Sequence, residues 1–271
     1  MKIAFSCGGT GGHIYPALAI AEKFSDCFFI GGNRLEKTLI PQAGHPFFEI
    51  AVSRQKPLSF WRGLWQSLVI LHRQSPDVVI ATGGYVTAPV ILAAKILGKQ
   101  VYLQEQNILP GRVNRYLSRL SAKVFIAFAG AAKHFPRNKS VLTGNPVRKD
   151  ILNAIFSPNN TKILAFGGSL SSSSINSAVN ALKVRKEFLN TFLHIDGNTY
   201  CHDMASLYSN AKLCVCRAGA TTLSELAAIG LPSILIPYPH AADNHQEFNA
   251  RYFAEHGAAI LLLDKDLTAD S

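Results

Sequence analysis

The sequence predicts an α/β protein of two Rossmann-like domains, each with a doubly wound parallel sheet, facing each other across a cleft. Short apolar or β-branched runs alternate with helical patterns along all 271 residues. Strands that are apolar throughout and separated by helices are typical of parallel sheets covered on both faces. A polar stretch rich in Gly, Asn and Pro, residues 143–162, interrupts the alternation. We therefore expect one domain in residues 1–144 and a second in residues 145–271.

Twelve runs are predicted as strands, seven in the first domain and five in the second. Those of the first domain are KIAFSC, CFFI, FFEIAV, DVVIAT, QVYLQE, KVFIAF and SVLTG. Those of the second domain are KILAFGG, FLHI, KLCVC, SILIPY and AAILLL. The second domain is therefore expected to be the smaller one.

Composition and charge restrict the class of protein. With 48% hydrophobic and 16% charged residues, the chain is expected to be globular. Lys and Arg number 27 against 17 Asp and Glu, a formal net charge of +10 that suits an anionic partner. No long Lys/Arg run marks a nucleic-acid arm, so nucleic acid is not an expected partner. The five cysteines show no CxxC spacing and no signal peptide or spanning segment is predicted, which indicates a cytoplasmic protein.

Three predicted strands end in paired glycines: Gly8-Gly9, Gly83-Gly84 and Gly167-Gly168. Glycine lets the backbone turn sharply and lets a ligand approach its N–H groups. The carboxyl ends of strands are where doubly wound sheets bind ligands. One pair alone could be an ordinary turn, but three in equivalent places predict a ligand site.

The stretch GGTGGHIYP, residues 8–16, predicts a phosphate-binding helix N-terminus. It fits neither the dinucleotide fingerprint, because Ile14 replaces the last glycine, nor the Walker loop, because no Lys precedes Lys23. Pro16 suits the first turn of a helix whose positive dipole end would face an anion. His13 is interpreted about equally well as a helix cap or as a general base.

The stretch from Val215 to Ala250 contains a second strand-to-helix junction, at Gly219. Thr222 and Glu225 have capping-box spacing, which favours a structural role for Glu225 by about two to one. A polar loop follows, and its residues suit hydrogen bonding to a polyhydroxylated ligand better than a metal site: His240, Asp243, Asn244, His245 and Gln246.

A third stretch, residues 53–74, contains both tryptophans of the chain. On a helix one face would present Trp61, Leu64, Trp65 and Leu68. A core-packing helix is favoured by about two to one. The alternative is a membrane-interfacial patch supported by nearby cations: Arg54, Lys56, Arg62 and Arg73.

Six blocks together resemble the MurG family of bacterial glycosyltransferases: GGTGGHIYPALAIA, GGYV, EQN, GNPVR, RAGATTLSELAAIGLP and AADNHQEFNA. The resemblance extends from Met1 to about Lys265. It implies the GT-B architecture, which agrees with the two domains predicted above. It also implies inverting transfer of N-acetylglucosamine from UDP-GlcNAc to the muramyl 4-hydroxyl of lipid I, the undecaprenyl-diphosphate-linked muramyl pentapeptide, giving lipid II for peptidoglycan.

The resemblance also implies roles for individual residues. The first domain would take the acceptor and face the membrane, and the second would hold the donor. His13, as the base, and Glu105 would be catalytic, with Gly9 and Tyr85 on the acceptor side. Glu225 would bind the ribose hydroxyls instead of capping a helix. The implied donor contacts are Thr10, Gly11, Gly12, Asn107, Arg148, Ser169, Cys201, Ala220, Thr221, Thr222, Glu225, His245 and Gln246.

The implied chemistry requires neither a metal nor a cofactor. The leaving UDP gains negative charge, which helix N-termini and Arg148 can stabilise. The DKD sequence at residues 264–266 looks like a solvated turn rather than a metal-binding motif. Because lipid I is membrane-anchored, the patch of Trp61, Leu64, Trp65 and Leu68 is expected to dock on an anionic surface, placing the protein peripherally on the cytoplasmic face of the inner membrane.

Three features depart from the family pattern. Leu170 replaces a polar Gln in the third glycine loop, which here reads GGSLSSSS. The segment between Ile195 and Tyr200 is shorter than in relatives, near the expected uracil site, and relatives continue beyond the position of Ser271. Two alternatives to the transferase therefore stay open: a catalytically weak binding or scaffold homologue, and a transferase for another glycolipid acceptor.

Overall fold

The computed structural model describes residues 1–53, 55–56, 58–168, 171–197, 201 and 203–271. These divide into two compact units, Met1–Pro146 and Val147–Ser271. The predictions made for Arg54, Ser169, Leu170 and Tyr200 concern positions outside the described residues.

Unit 1 contains a seven-stranded sheet in the order β3-β2-β1-β4-β5-β6-β7. All its strand pairs are parallel. This is the Rossmann order, with the direction of winding reversed between β1 and β4, where such sheets bind ligands. The strands are β1 (Ile3–Cys7), β2 (Cys27–Gly31), β3 (Phe47–Glu49), β4 (Val78–Gly83), β5 (Gln100–Glu105), β6 (Lys123–Ile126) and β7 (Ser140–Leu142).

Helices cover both faces of this sheet, because successive strand residues point to opposite faces and both sets are apolar. Ile3 and Phe5 of β1 belong to one core cluster and Ala4, between them, to the other. The helices of unit 1 are α1 (Gly11–Ala21), α2 (Glu36–Gln42), α3 (Ser59–Gln74), α4 (Thr87–Ile96) and α5 (Arg112–Leu117).

Unit 2 contains a five-stranded parallel sheet in the order β12-β11-β10-β8-β9. This is the other common doubly wound order, and its winding reverses between β8 and β10. The strands of unit 2 are β8 (Lys162–Phe166), β9 (Phe192–Ile195), β10 (Ala211–Cys216), β11 (Ser233–Leu235) and β12 (Ile260–Leu261). Its helices are α6 (Lys149–Leu152), α7 (Ser173–Lys183), α8 (Met204–Asn210), α9 (Ala220–Ile229) and α10 (His245–Glu255). All twelve predicted strands are confirmed, as is the seven-to-five division.

The orientation of α3 corrects the predicted patch. Its buried residues are Gly63, Ser67 and Leu71, while Leu64 and Leu68 are partly buried against the core. Leu64 and Leu68 therefore do not belong to an exposed face as expected. Trp61 and Trp65 are 66% and 65% exposed, so the core-packing interpretation is wrong for the two tryptophans. The exposed large apolar side chains of α3 and its N-cap residue are Leu58, Trp61 and Trp65.

Two further expectations differ from the structure. Pro16 lies inside α1, in its second turn, because the helix begins at Gly11. The DKD sequence forms a 3₁₀ turn, but Asp264 is not merely solvated, since it pairs with the buried Arg217. Among the described residues, no helix is both long enough and apolar enough to span a bilayer.

Candidate active site

The first candidate site lies where β1 meets α1, beside the point where the sheet of unit 1 reverses its winding. Thr10 is the N-cap residue of α1, with an extended backbone and no side-chain cap hydrogen bond. Gly11, Gly12 and His13 therefore form the first turn. The N–H groups of a first turn and the positive end of the helix dipole suit an anion such as a diphosphate.

Glycines 83 and 84 are required for the packing of two loops, a role that the sequence did not indicate. A Cβ on Gly83 would lie 2.9 Å from the imidazole of His13, and a Cβ on Gly84 only 2.3 Å from the backbone oxygen of Gly8. Both glycines also have positive φ. The loop after β4 thus supports the loop after β1, so these glycines act on the site through protein contacts.

His13 is half-buried and is held by groups from other parts of unit 1. Its Nδ1 lies 3.1 Å from the carbonyl oxygen of Thr82 and 3.2 Å from Oε1 of Gln106. The Thr82 hydroxyl donates to the backbone oxygen of His13 at 2.7 Å. The imidazole is therefore fixed by β4 and by the loop after β5, which favours the general-base interpretation over the cap.

Glu105, which is expected to be catalytic, is surrounded by hydrogen-bond donors of its own segment. Its side chain is buried, and its carboxylate accepts hydrogen bonds from the N–H groups of Asn107 (3.0 Å) and Gly111 (3.1 Å) and from the side-chain amides of Asn107 (3.2 Å) and Asn114 (2.9 Å). Burial raises the pKa of Glu105, and these donors oppose the rise. A carboxylate occupied by four donors from its own segment is placed to hold the loop after β5 rather than to move a proton.

Asn107 and Tyr85, two other expected site residues, lie in the loops that follow β5 and β4, and both are half-buried. Asn107 is tied to Glu105 through both its backbone and its side-chain N–H groups. The structure thus brings the loops after β1, β4 and β5 together at one edge of the sheet of unit 1.

Glu36 supports the first glycine loop from below the surface, a role that the sequence did not predict. Its side chain is 1% exposed, and its two carboxylate oxygens accept from the N–H groups of Gly9 and Gly32, each at 3.0 Å. It therefore fixes the first glycine loop against the end of β2. No local pattern identifies it, because the sequence around it reads as an ordinary amphipathic helix.

The second candidate site is in unit 2, where α9 follows β10. The helix begins at Ala220 with Gly219 as its N-cap, so Ala220, Thr221 and Thr222 form its first turn as expected. Thr222 is inside the helix and cannot be the N-cap of a capping box. The capping-box interpretation of Glu225 is therefore wrong.

Glu225 is 7% exposed and is held by α8. The Tyr208 hydroxyl donates to its Oε2 at 2.9 Å, and the guanidinium of Arg148 lies 4.0 Å from its Oε1. Burial raises the pKa of Glu225, whereas the Tyr208 hydrogen bond and the Arg148 charge oppose the rise. Arg148 also pairs with Asp150 at 3.5 Å. Unit 2 thus brings a carboxylate and a guanidinium close to one another.

The polar loop after β11 leads into α10, and His245 and Gln246 are its first two residues. The backbone N–H of Tyr238 donates to Oε1 of Gln246 at 3.0 Å, and Nδ1 of His245 lies 2.7 Å from the carbonyl oxygen of Ala242. Both side chains are half-buried. Gln246 therefore also stabilises the loop that presents it.

Arg217 forms a buried cluster that the sequence did not predict. Its guanidinium donates to the carbonyl oxygens of Ile236 (3.2 Å) and Pro237 (3.0 Å), to the Ser174 hydroxyl at 2.9 Å and to Asp264 at 2.5 Å. This cluster joins the end of β10 to α7 and to the turn after β12. It supports the edge of the sheet from which α9 begins.

Metal-ligating clusters and free cysteines are the other groups of the described residues that could carry chemistry. Over the described ranges, no cluster of three or more His, Cys, Asp or Glu side chains is arranged to hold a metal ion. Cys201 is a half-buried free thiol in the loop before α8, and Cys7, Cys27, Cys214 and Cys216 are buried free thiols. Ser169, the remaining expected donor contact, lies outside the described residues.

Comparison with known families defines the class of protein. Residues 3–126 match the glycosyltransferase family 28 N-terminal domain, and residues 180–271 match the glycosyltransferase family 28 C-terminal domain. Together with the two doubly wound sheets, these matches define a glycosyltransferase of family 28, and the predicted GT-B class is confirmed.

Similarity to individual proteins indicates which group within glycosyltransferase family 28 the chain belongs to. The UDP-N-acetylglucosamine--N-acetylmuramyl-(pentapeptide) pyrophosphoryl-undecaprenol N-acetylglucosamine transferase of Desulforudis audaxviator is 40% identical over 323 residues, covering 99% of this chain and 87% of its own. The enzyme of the same name from Bacillus cytotoxicus is 39% identical, covering 100% and 88%. The crystal structure of MurG from Acinetobacter baumannii matches with a TM-score of 0.77 at 27% identity, over 100% of this chain and 88% of that one. The chain belongs to the MurG family.

The aligned stretch of the Desulforudis relative, 323 residues, is longer than this 271-residue chain. That relative therefore carries residues inside the aligned region that this chain lacks.

Proposed function

We propose that this protein transfers N-acetylglucosamine from UDP-GlcNAc to lipid I, giving lipid II and UDP. The observation that carries the proposal is the similarity over nearly the whole chain to transferases named for this reaction. The side chains that the chemistry needs, His13 in unit 1 and Glu225 with Arg148 in unit 2, stand in the family motifs.

His13 acts as the base in this proposal. The muramyl 4-hydroxyl oxygen attacks the anomeric carbon of the donor sugar while the bond from that carbon to the diphosphate oxygen breaks. The hydroxyl proton passes to the His13 imidazole, and the bonding electron pair leaves with UDP. Inversion at the anomeric carbon follows from this single displacement, whose transition state has oxocarbenium character.

The donor would be held by unit 2. The first turn of α9, at residues 220–222, and Arg148 would stabilise the diphosphate, whose negative charge grows as it leaves. Glu225 would accept hydrogen bonds from the ribose hydroxyls, and Gln246 with His245 would contact the sugar. Metal independence is part of the proposal, and we expect turnover to persist in excess EDTA.

The exposed tryptophans of α3 are proposed as a docking surface for an anionic membrane. Trp61 and Trp65 are each about two-thirds exposed, and Lys56 and Arg62 beside them are also exposed. Indole rings suit headgroup depth, and cations gain from anionic lipid. We propose peripheral attachment to the cytoplasmic face of the bacterial membrane, where lipid I is presented.

A transfer assay with radiolabelled UDP-GlcNAc and a short-chain lipid I analogue tests the reaction. Wild-type protein should form labelled lipid II analogue, and His13→Ala should lower kcat roughly 10²–10⁴-fold with little change in the KM for UDP-GlcNAc. His256→Ala, at an exposed position of unit 2, is the matched control. Absence of product from wild-type protein would reject the proposal.

Calorimetric measurement of UDP-GlcNAc binding distinguishes the active transferase from a binding or scaffold homologue. The second candidate is a catalytically weak binding or scaffold homologue, which the altered GGSLSSSS loop and the expected shortening of the second domain motivate, and it predicts no UDP-GlcNAc affinity. Replacing the acceptor analogue by another glycolipid in the transfer assay distinguishes a transferase of different acceptor specificity.

Vesicle sedimentation tests the docking surface. Wild-type protein should sediment with vesicles containing anionic lipid, and replacing both Trp61 and Trp65 by Ser should abolish this, because each loses a large interfacial side chain. Turnover of the soluble acceptor analogue should be unchanged. Equal sedimentation of the double variant would contradict the docking proposal.

A further inference from the structure

We propose that Gln106 is a positioning residue that holds His13 as its Nδ1–H tautomer, so that the lone pair of the neutral imidazole is on Nε2. The catalytic consequence rests on the proposed function, but the tautomer itself can be measured without turnover. Four side-chain and backbone groups of unit 1 carry the argument.

The carbonyl of Thr82 determines which imidazole nitrogen carries the hydrogen. A backbone carbonyl can only accept, and Nδ1 of His13 lies 3.1 Å from it, so Nδ1 must donate. Ser6 of β1 pairs with Ala81 of β4, but Cys7 pairs with Gly83, which makes Thr82 the extra residue of a bulge. A bulged residue lies outside the regular ladder, which leaves this carbonyl to the side chains around it.

Gln106 presents a second acceptor to the same nitrogen. Its Oε1 lies 3.2 Å from Nδ1 of His13, and its Nε2 donates to the Thr82 carbonyl at 2.7 Å and to Oε1 of Gln104. Rotating the amide by half a turn would place its oxygen against those two oxygens. The hydrogen-bond network therefore fixes Oε1 toward His13.

The orientation of Gln106 is itself supported by further amides. Nε2 of Gln104 donates to Oδ1 of Asn145 at 2.9 Å, which leaves Oε1 of Gln104 to accept from Gln106. Gln104 and Gln106 are each 1% exposed, and Thr82 is fully buried. Water does not compete for these hydrogen bonds because the groups are buried. Reversing one amide would place two acceptors or two donors against each other without a partner.

The tautomer matters because a base must offer a lone pair to the acceptor hydroxyl. An imidazole with hydrogen on Nδ1 offers it at Nε2, on the opposite edge of the ring. An imidazole with hydrogen on Nε2 would have its lone pair at Nδ1, facing two carbonyl oxygens inside the protein. Gln106 and Thr82 thus act on His13 as the orienting partner of a catalytic histidine does.

NMR spectroscopy of protein labelled with ¹⁵N-histidine tests the tautomer directly. The spectrum has nine histidines to resolve, and the signals lost in His13→Asn identify His13. Above the imidazole pKa, we expect Nδ1 of His13 in the protonated range and Nε2 in the unprotonated range. The reverse assignment in wild-type protein would overturn the inference, whether or not the protein turns over.

The transfer assay tests the catalytic consequence. Gln106→Met should lower kcat roughly ten- to a hundredfold with a smaller change in KM, because the imidazole loses one of its two orienting acceptors. Combined with His13→Ala it should add no further loss, since Gln106 acts through His13. Losses that multiply would indicate a merely structural role and overturn the inference. Gln100→Met, at an exposed position of β5, is the matched control.

The conservative variant gives a readout that a merely structural role would not move. In Gln106→Glu a protonated carboxyl can donate to the Thr82 carbonyl and accept from Nδ1–H of His13, so this variant should retain the Nδ1–H tautomer and much of the kcat that Gln106→Met loses. Equal loss of kcat in the two variants would contradict the inference. If wild-type His13 has the expected tautomer but no transfer occurs, the proposed function fails while the positioning role of Gln106 stands.

Discussion

Strands β2 and β9 occupy equivalent places in the two sheets, each next to the first strand of its unit, but they differ in burial. All five residues of β2 are buried, whereas all four of β9 are half-buried. β3 lies outside β2, while β9 is the edge strand of its five-stranded sheet. The difference shows that the burial of a strand follows from its place in the sheet, because β2 has a neighbouring strand on each side and β9 has one on a single side.

The carboxylates of the two candidate sites differ in a related way. Glu105 is enclosed by four N–H donors from its own segment. Glu225 receives the hydroxyl of Tyr208 and has Arg148 at 4.0 Å. An ionised carboxylate can accept about four hydrogen bonds. This difference predicts a structural role for Glu105 in unit 1 and a ligand-binding role for Glu225 in unit 2.

The largest expected effect concerns the two second strands. Phe29 of β2 is fully buried and stacks on Phe5 at 5.0 Å between ring centroids. Phe29→Ala should destabilise unit 1 by roughly 3–5 kcal/mol, because it leaves a cavity in the core. Phe192→Ala, on the half-buried strand β9, should lower the free energy of unfolding of unit 2 by a smaller amount.

Urea unfolding measures this difference. Both tryptophans are in unit 1, so tryptophan fluorescence reports that unit, while circular dichroism reports both. Equal losses for the two phenylalanine variants would show that β9 is as well packed as β2 and would break the comparison.

The next effect concerns donor binding at Glu225. Glu225→Ala should raise the KM for UDP-GlcNAc about ten- to a hundredfold, because hydrogen bonds to a charged group contribute roughly 1.5–3 kcal/mol. Tyr208→Phe keeps the carboxylate and removes only the hydroxyl that orients it, so its effect should be smaller. Steady-state kinetics with varied donor measures both. An unchanged KM in Glu225→Ala would exclude this residue from the donor site.

Glu105→Gln tests whether the carboxylate of unit 1 is structural. An amide in its place can accept at only one atom and would oppose its NH₂ group to two of the present donors. We expect a loss of about 1–3 kcal/mol in the free energy of unfolding of unit 1. Fluorescence-detected unfolding measures this loss. A variant of wild-type stability with abolished kcat would instead restore the catalytic assignment.

The smallest expected effect is a pH dependence in unit 2. Burial, followed by the charge of Lys183, lowers the pKa of His194 in β9. The unfolded chain therefore binds this proton more readily, and stability should fall as pH drops below about 6.5 toward the folded pKa. His194→Gln should make the decline in Tm between pH 7.5 and 5.5 shallower. Equal declines in Tm for wild-type protein and His194→Gln would contradict the assignment.

Much of the fold was predictable because its signals are local. Apolar runs and glycine punctuation located all the strands within the described residues, and the Gly219 junction located the start of α9. Burial on α3 was less predictable, since Trp61 and Leu64 belong to one apolar pattern although only Trp61 is well exposed. Nothing local distinguishes the ring that faces solvent from the leucine that packs on the sheet.

The sequence by itself determined the α/β class, the seven-to-five division of strands and the residue types available for the chemistry. Only the tertiary structure decided what each polar residue does, because the deciding contacts join positions far apart in the chain. His13 meets Thr82 across 69 positions, and Gly9 meets Glu36 across 27. Those contacts form only when the parallel strands bring their carboxyl ends to one edge of the sheet. Burial at that edge strengthens each hydrogen bond and makes an unpaired polar group costly.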